Sequence, residues 1–149
     1  MIYALDLSIA LTGVAIYNDK KEVVFIGSIA TYPKDTHGVR LNMIKEYISE
    51  LMVDFPPSKI VIERGFTRFN KATQVLYMVH GVVLELFKDY DVIYYPPKTI
   101  KHAITGKGNA SKLEVRESVQ QYFPDIDIKN YDESDALAIG LTYFELEVE

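Results

Sequence analysis

An α/β fold, a five-stranded mixed sheet with helices packed on both faces, is predicted from three observations. Residues 2–31 contain three apolar runs joined by short turns, the pattern of a strand meander. From residue 38 onward, apolar stripes at helical spacing alternate with short apolar runs, an order that leads to parallel strand pairing with helices on the faces. The chain has 149 residues, 48% of them apolar and 25% charged, enough for a full core in one globular unit. A single domain over 1–149 is therefore expected.

Strands are expected at 2–7, 13–18 and 22–31, with Asn18-Asp19 at the second turn. Residues 38–54 read as a helix because Met43, Ile44, Tyr47, Ile48, Leu51 and Met52 form one apolar stripe. Phe55-Pro56-Pro57 stops it. Lys59 to Glu63 is a short buried strand ending in a carboxylate. A second long helix, 70–88, carries Val75, Val79, Val82, Val83 and Leu86, and a fifth strand runs from Asp91 to Tyr95. Pro96-Pro97 ends that strand, and Pro97 suits the first turn of a short helix to Ile104. Ser111 and Glu114 have the spacing of a capping box, opening a helix toward Phe123. A last helix covers about Asp132 to Glu145.

Composition narrows the chemistry. No apolar run approaches the roughly 20 residues that span a bilayer, and no basic segment precedes the first strand, so neither a membrane span nor a leader is expected. The absence of cysteine removes disulfides, thiolate catalysis and cysteine-based zinc sites, and it fits a cytoplasmic location. The net charge of −5 conceals an uneven distribution. From Lys98 to Arg116 there are five basic residues (Lys98, Lys101, Lys107, Lys112, Arg116) and one acid, whereas Asp125 to Glu149 holds eight acids and only Lys129. A basic stripe of that kind can dock on a phosphate backbone whatever the sum. Gly106-Lys107-Gly108 lacks the spacing of a P-loop.

Four carboxylates occur at expected element ends: Asp6, Glu63, Asp132 and Asp135. In α/β sheets functional groups collect at the carboxyl ends of parallel strands, which is where Asp6 and Glu63 fall. Asp132 and Asp135, at i and i+3, share one helix face with Cβ atoms roughly 5–6 Å apart. Converging without a cation, these acids would repel one another and rise in pKa. Magnesium or manganese resolves the repulsion, because hard cations take oxygen ligands. Two such ions roughly 4 Å apart can clamp the attacking and leaving oxygens of a phosphodiester. Ordinary alternatives exist for each acid. Asp6 could cap the following turn through Ser8, Glu63 could pair with Arg64 or Arg68, and Asp132 with Asp135 could serve only as a helix cap and dipole partner.

Four segments carry a family resemblance: Ile2-Tyr3-Ala4-Leu5-Asp6 with Thr12-Gly13; Ile60-Val61-Ile62-Glu63-Arg64-Gly65-Phe66; Ile100-Lys101-His102-Ala103-Ile104-Thr105-Gly106 with Lys112; and Asp132-Glu133-Ser134-Asp135-Ala136-Leu137-Ala138-Ile139. In their order and spacing the chain resembles the RuvC family of Holliday-junction resolvases, within the RNase H-like nuclease superfamily, and most of all its small divergent bacteriophage members. The resemblance implies an RNase H-like fold and a Mg²⁺-dependent DNA endonuclease of recombination and repair. Such an enzyme makes paired symmetric cuts in four-way junctions by two-metal hydrolysis, leaving a 5′-phosphate and a 3′-hydroxyl. It implies that Asp6 bridges two Mg²⁺ ions, with Mn²⁺ able to substitute, and that Glu63, Asp132 and Asp135 complete the ligands. Lys112 would support the cleaved phosphate and Lys101 the DNA beside it. Phe66 would be a wedge that unstacks junction bases, and Arg64, Arg68, Lys98, Lys107 and Arg116 would complete the DNA-contacting set. Where the family has Pro-Gly after its first aspartate, this chain has Leu7-Ser8. Paired cuts imply a homodimer, with the helix at 70–88 as candidate interface; nothing in the sequence marks a surface for branch-migration proteins.

Two other readings share these residues. The same carboxylates would serve a nuclease of forked DNA or RNA-containing duplexes, because they set the reaction and not the substrate. A non-catalytic branched-DNA-binding protein could retain the acids without using them. An actin-like ATP-binding half, suggested by the Asp6 to Gly13 turn, would need a second half for which 149 residues leave no room.

Overall fold

The structure is a computed structural model that describes residues 1–65 and 70–148. Strands β1 (Ile2–Asp6), β2 (Leu11–Tyr17) and β3 (Val23–Ala30) form the meander. They are followed by α1 (His37–Asp54), β4 (Lys59–Glu63), α2 (Lys71–Leu86) and β5 (Asp91–Tyr95), then α3 (Pro97–Thr105), α4 (Lys112–Tyr122) and α5 (Tyr131–Glu147). The sheet order is β3-β2-β1-β4-β5. β1 is antiparallel to β2 and parallel to β4, and β4 is parallel to β5. The expected elements are all present, displaced by one or two residues at most of their ends.

Side-chain alternation along the strands assigns each residue to a layer. Tyr3, Leu5, Ile60 and Ile62 face α1 and α2, where they meet Ile44, Ile48, Val79 and Val83. Ala4, Ala15, Tyr17 and Val61 face the other way, onto Ile100, Val115, Val119 and the buried side of α5. Fully burying side chains of this size stabilises by roughly 1.5–3 kcal/mol each, which explains why the central strands read as unbroken apolar runs. Asp6 and Glu63 belong by the same alternation to the α3–α5 side, the only acids the two central strands send there.

Local caps set where the helices begin. Thr36 accepts a hydrogen bond from the Val39 amide at the start of α1, and Asn70 accepts one from Thr73 at the start of α2. Pro97 occupies the first turn of α3, which ends on Gly106 in the left-handed region (φ 81°), a conformation that glycine adopts without a Cβ penalty. The expected capping box is formed: Ser111 Oγ accepts from Glu114 N at 3.1 Å while the Glu114 carboxylate accepts from Ser111 N. α5 lies against β1 and β2. Tyr17, fully buried, donates from its hydroxyl to the Leu137 carbonyl at 2.8 Å.

Candidate active site

The capping roles open to Asp6 and Asp132 are filled by other residues, and the pairing of Glu63 with Arg68 lies outside the described residues. The turn after β1 is held by Thr12 and Ser8: the Thr12 hydroxyl donates to the Ser8 carbonyl at 2.6 Å, and Ser8 Oγ accepts from the Ala10 amide. α5 is capped by Asn130, which accepts from Glu133 N at 2.8 Å while the buried Glu133 carboxylate accepts from Lys129 N and Asn130 Nδ2. The helix therefore begins one residue before the sequence suggested, and Asp132 is not its cap. Among the described residues Glu63 forms no ion pair; the pairs present are Lys59–Asp91 and Lys107–Glu114. Asp6, Glu63, Asp132 and Asp135 all face one space.

That space is a cleft of about 440 Å³ at the carboxyl end of β1 and β4, lined by all four acids and by Lys101 and Lys112. The pairing of Leu5 with Ile62 sets Asp6 beside Glu63. Asp132 and Asp135, three residues apart on α5, close the opposite wall. Their approach depends on Gly13, which pairs with Asp6 across β1–β2. A Cβ there would lie 2.2 Å from the Asp132 carbonyl oxygen, so only glycine lets the first turn of α5 approach β2.

The electrostatics follow from four carboxylates sharing a poorly solvated cleft. Burial, reinforced by the Asp135 charge, a hydrogen bond to Asp132 and the charges of Asp132 and Glu63, pushes the Asp6 carboxyl up to about 9. Burial also raises Glu63, aided by Asp135 and opposed by Lys101 and Lys112. Asp135 is raised by burial and by Asp132, with Lys112 and Lys101 acting against the shift. The two lysines are thus close enough for their charges to be felt by the acids across the cleft. Among the described residues no three acidic or imidazole side chains already form a compact ligand cage.

The remaining expected site residues are more scattered. Lys112, at the first position of α4, is exposed and lies 6.0 Å from the Tyr131 ring centroid. Arg116 also stacks over Tyr131, at 5.0 Å, and donates to the Ile128 carbonyl at 3.2 Å, which ties it to the α4–α5 connection. Lys107 is paired with Glu114 at 2.9 Å. Lys98 is exposed on α3 and lines a separate cavity with His102 and Glu145. Arg64, exposed after β4, borders a smaller recess beside Asp6 and Glu63 with Leu76 and His80. Phe66 and Arg68 lie outside the described residues. Of the basic stripe, Lys101 and Lys112 line the cleft and the others do not. Sequence reasoning treated Ser8 only as a turn residue, although it lines the cleft, and its place two residues after Asp6 was the available signal. It also passed over Glu133, whose spacing three residues after Asn130 marks a cap.

Comparison with known proteins supplies the family. The family model "Crossover junction endodeoxyribonuclease RuvC" matches residues 2–143. The crossover junction endodeoxyribonuclease RuvC of Wolbachia sp. subsp. Drosophila simulans (strain wRi) is 31% identical over 154 aligned positions, covering 95% of this chain and 92% of the relative. The structure of Thermus thermophilus RuvC superposes with a TM-score of 0.81 at 25% identity, covering 97% of this chain and 93% of that one. A structure of T. thermophilus RuvC in complex with Holliday junction substrate shares the fold, with a TM-score of 0.86 at 24% identity over 99% of this chain and 94% of that one. With the family model running from β1 into α5, and so through every element that contributes an acid to the cleft, this chain belongs to the RuvC family of crossover junction endodeoxyribonucleases.

Proposed function

We propose that this protein is a Holliday-junction resolvase, cutting four-way DNA junctions by paired, symmetric phosphodiester hydrolysis in the presence of a divalent cation. The observation that carries this reading is the single cleft lined by Asp6, Glu63, Asp132 and Asp135 together with Lys101 and Lys112. The relatives' shared name as crossover junction endodeoxyribonucleases supports the choice of substrate.

The residues fit a hard cation. Every candidate ligand is a carboxylate, no histidine lines the cleft, and the chain has no cysteine, which favours Mg²⁺, with Mn²⁺ as a substitute, over softer metals. Mg²⁺ keeps several waters and substrate oxygens in its shell, so it needs few carboxylates from the protein. Two ions per site match four acids. When bound, such cations supply neutralisation of the phosphodiester charge and activation of the attacking water. The chain's own residues do the rest. Asp6 would hold the cations from the end of β1. Glu63 fixes one side from β4, and Asp132 and Asp135 fix the other from α5. Lys112 and Lys101 hold the phosphate being cut and the strand beside it. Arg64, Phe66, Arg68, Lys98, Lys107 and Arg116 extend the DNA contact, as the resemblance implies.

Two symmetric cuts require two clefts, which a homodimer provides. The outward side of α2 supports it as the interface, because Met78 and Leu84 are exposed there beside Gly81. No helix among the described residues is long and apolar enough to cross a membrane. The bacterial relatives support a place in the bacterial cytoplasm, whether the enzyme is encoded by the host or by a phage.

The reading is tested with a labelled immobile four-way junction, in Mg²⁺ or EDTA, beside duplex, fork and hybrid controls. Paired nicks placed symmetrically on the junction and lost in EDTA are expected. Cutting of forks or hybrids alone would keep the chemistry and change the substrate, while binding without cutting in Mg²⁺ would leave a branched-DNA-binding protein. Lys112→Ala should slow cleavage by about 10²–10³-fold, the effect typical of removing one donor to a transition-state charge. It should also lower the salt slope of junction binding by about 0.9 for each phosphate that the lysine neutralises. An unchanged rate and slope would return Lys112 to an ordinary solvated charge.

A further inference from the structure

Arg40, in the first turn of α1, is only 9% exposed. Arginine is rarely buried to this degree without a carboxylate partner, yet Arg40 makes no ion pair among the described residues. Its Nε donates to the Thr31 hydroxyl at 2.8 Å, and that hydroxyl in turn donates to the Ile9 carbonyl. One of the five guanidinium N–H donors is thereby used. Among the described residues, Ser134 Oγ is the fully buried side-chain polar atom left without a partner, so the outer nitrogens of Arg40 are not sealed inside the protein. The side chain is held by its inner edge, and its outer nitrogens keep some contact with solvent.

The position of that edge relates it to the cleft. β1 and β3 run in the same direction, and Asp6, Gly13 and Ser28 are aligned across the sheet. Thr31, just beyond β3, therefore lies at the same carboxyl edge as the acids, two strands away. At the usual strand spacing this is roughly 10 Å, about three nucleotides at roughly 3.4 Å of axial rise each. The turn between them is continuous with the active site: Ser8 lines the cleft, Ile9 accepts from the Thr31 hydroxyl, and Ala10 accepts from the Thr31 amide at 3.1 Å. Lys34 and His37 are exposed in the same segment, and Asp35, the acid there, makes no ion pair with Arg40.

We infer that Arg40 is a phosphate anchor for the DNA strand where it leaves the cleft over the carboxyl edge of the sheet, on the flank opposite Lys101 and Lys112. This rests on the resolvase reading above. A guanidinium fork immobilised by Thr31 loses little entropy on binding and matches a phosphate with two parallel hydrogen bonds.

The test is junction binding in EDTA across a salt series for the wild type, Arg40→Gln and Thr31→Val, each checked by thermal melting. Arg40→Gln should weaken binding about tenfold at moderate salt and lower the salt slope by about 0.9 per protomer. Thr31→Val, which removes the brace and keeps the charge, should retain the wild-type slope. A wild-type slope in folded Arg40→Gln would reduce Arg40 to a brace for the turn and overturn the assignment. Should Arg40→Gln not fold, the unmodified protein can be tested against junctions carrying one neutral methylphosphonate at each position from two to four nucleotides beyond the cut. Loss of affinity at one of them supports the anchor, and no loss at any excludes it. A wild type that cuts the junction while either experiment fails removes only the Arg40 assignment; a wild type without salt-dependent junction binding removes the resolvase reading with it.

Discussion

Replacing Asp6 by asparagine is expected to abolish cleavage, preserve junction binding and raise the stability of the metal-free protein. The last effect follows from the sign of the pKa shift. The fold holds the Asp6 carboxyl at about 9 against 3.8 for an unperturbed aspartate, so the folded state binds this proton more tightly than the unfolded chain does. The associated stability is fully present below about pH 4 and is lost progressively as pH rises toward 9. Raised values at Glu63 and Asp135 act in the same direction. In EDTA the wild type should therefore melt at lower temperature at pH 8 than at pH 5. Asp6→Asn, which has no proton to lose at that position and can donate to Asp132, should show a shallower decline. Each kcal/mol of advantage at pH 8 should raise the melting midpoint of a chain this size by roughly 2–4 °C. Adding Mg²⁺ should reverse the order, because a ligand that binds only the native state stabilises it by mass action. Melting curves at the two pH values, with EDTA or Mg²⁺, are sufficient to decide it. If Asp6→Asn cut junctions at the wild-type rate, Asp6 could not be a metal ligand.

That prediction depends on a charge cluster the sequence could locate but not assemble. Strand and helix identities were legible because the local signals agreed with the tertiary result: the run from Ile2 to Leu5, the alternation after residue 38, the Pro97 start and the Ser111–Glu114 box. The neighbourhood of Asp6 and Glu63 was legible too, since a meander followed by a crossover helix leaves β1 free to pair with β4. Side-chain commitments made by distant residues were not. Arg116 sits in the same basic stripe as Lys112, but only the fold reveals that it is occupied by Ile128 and Tyr131. Asp132 could have been a helix cap on sequence grounds, and that alternative falls because Asn130, two residues earlier, takes the role. Arg40 gave no signal, because its burial depends on Thr31 reaching it from the far end of β3.

The placement of α5 leads to the other large effect. Gly13→Ala should lower cleavage by at least about 10²-fold, the cost expected when catalytic groups are displaced by roughly 1 Å. It should also destabilise the fold by about 1–3 kcal/mol, as overpacking usually does. The added methyl would meet the backbone of Asp132, its carbonyl oxygen at 2.2 Å and carbonyl carbon at 2.6 Å, and a helix backbone cannot rotate out of the way as a side chain can. α5 must move away from β2 at the end that carries Asp132 and Asp135. Gly140→Ala provides the comparison, because it disturbs the same helix on the same strand nearer its other end. A Cβ on Gly140 would come within 2.1 Å of the Tyr17 ring, whose hydroxyl is tied to Leu137. Both variants should lose comparable stability, and Gly13→Ala should lose far more activity. Measured together by thermal melting and single-turnover cleavage, equal losses of activity would mean that α5 shifts as a rigid body and that Gly13 has no special part. A large excess at Gly13 would show that the close approach of β2 to the first turn of α5 sets the distance between the acids of the sheet and the acids of the helix.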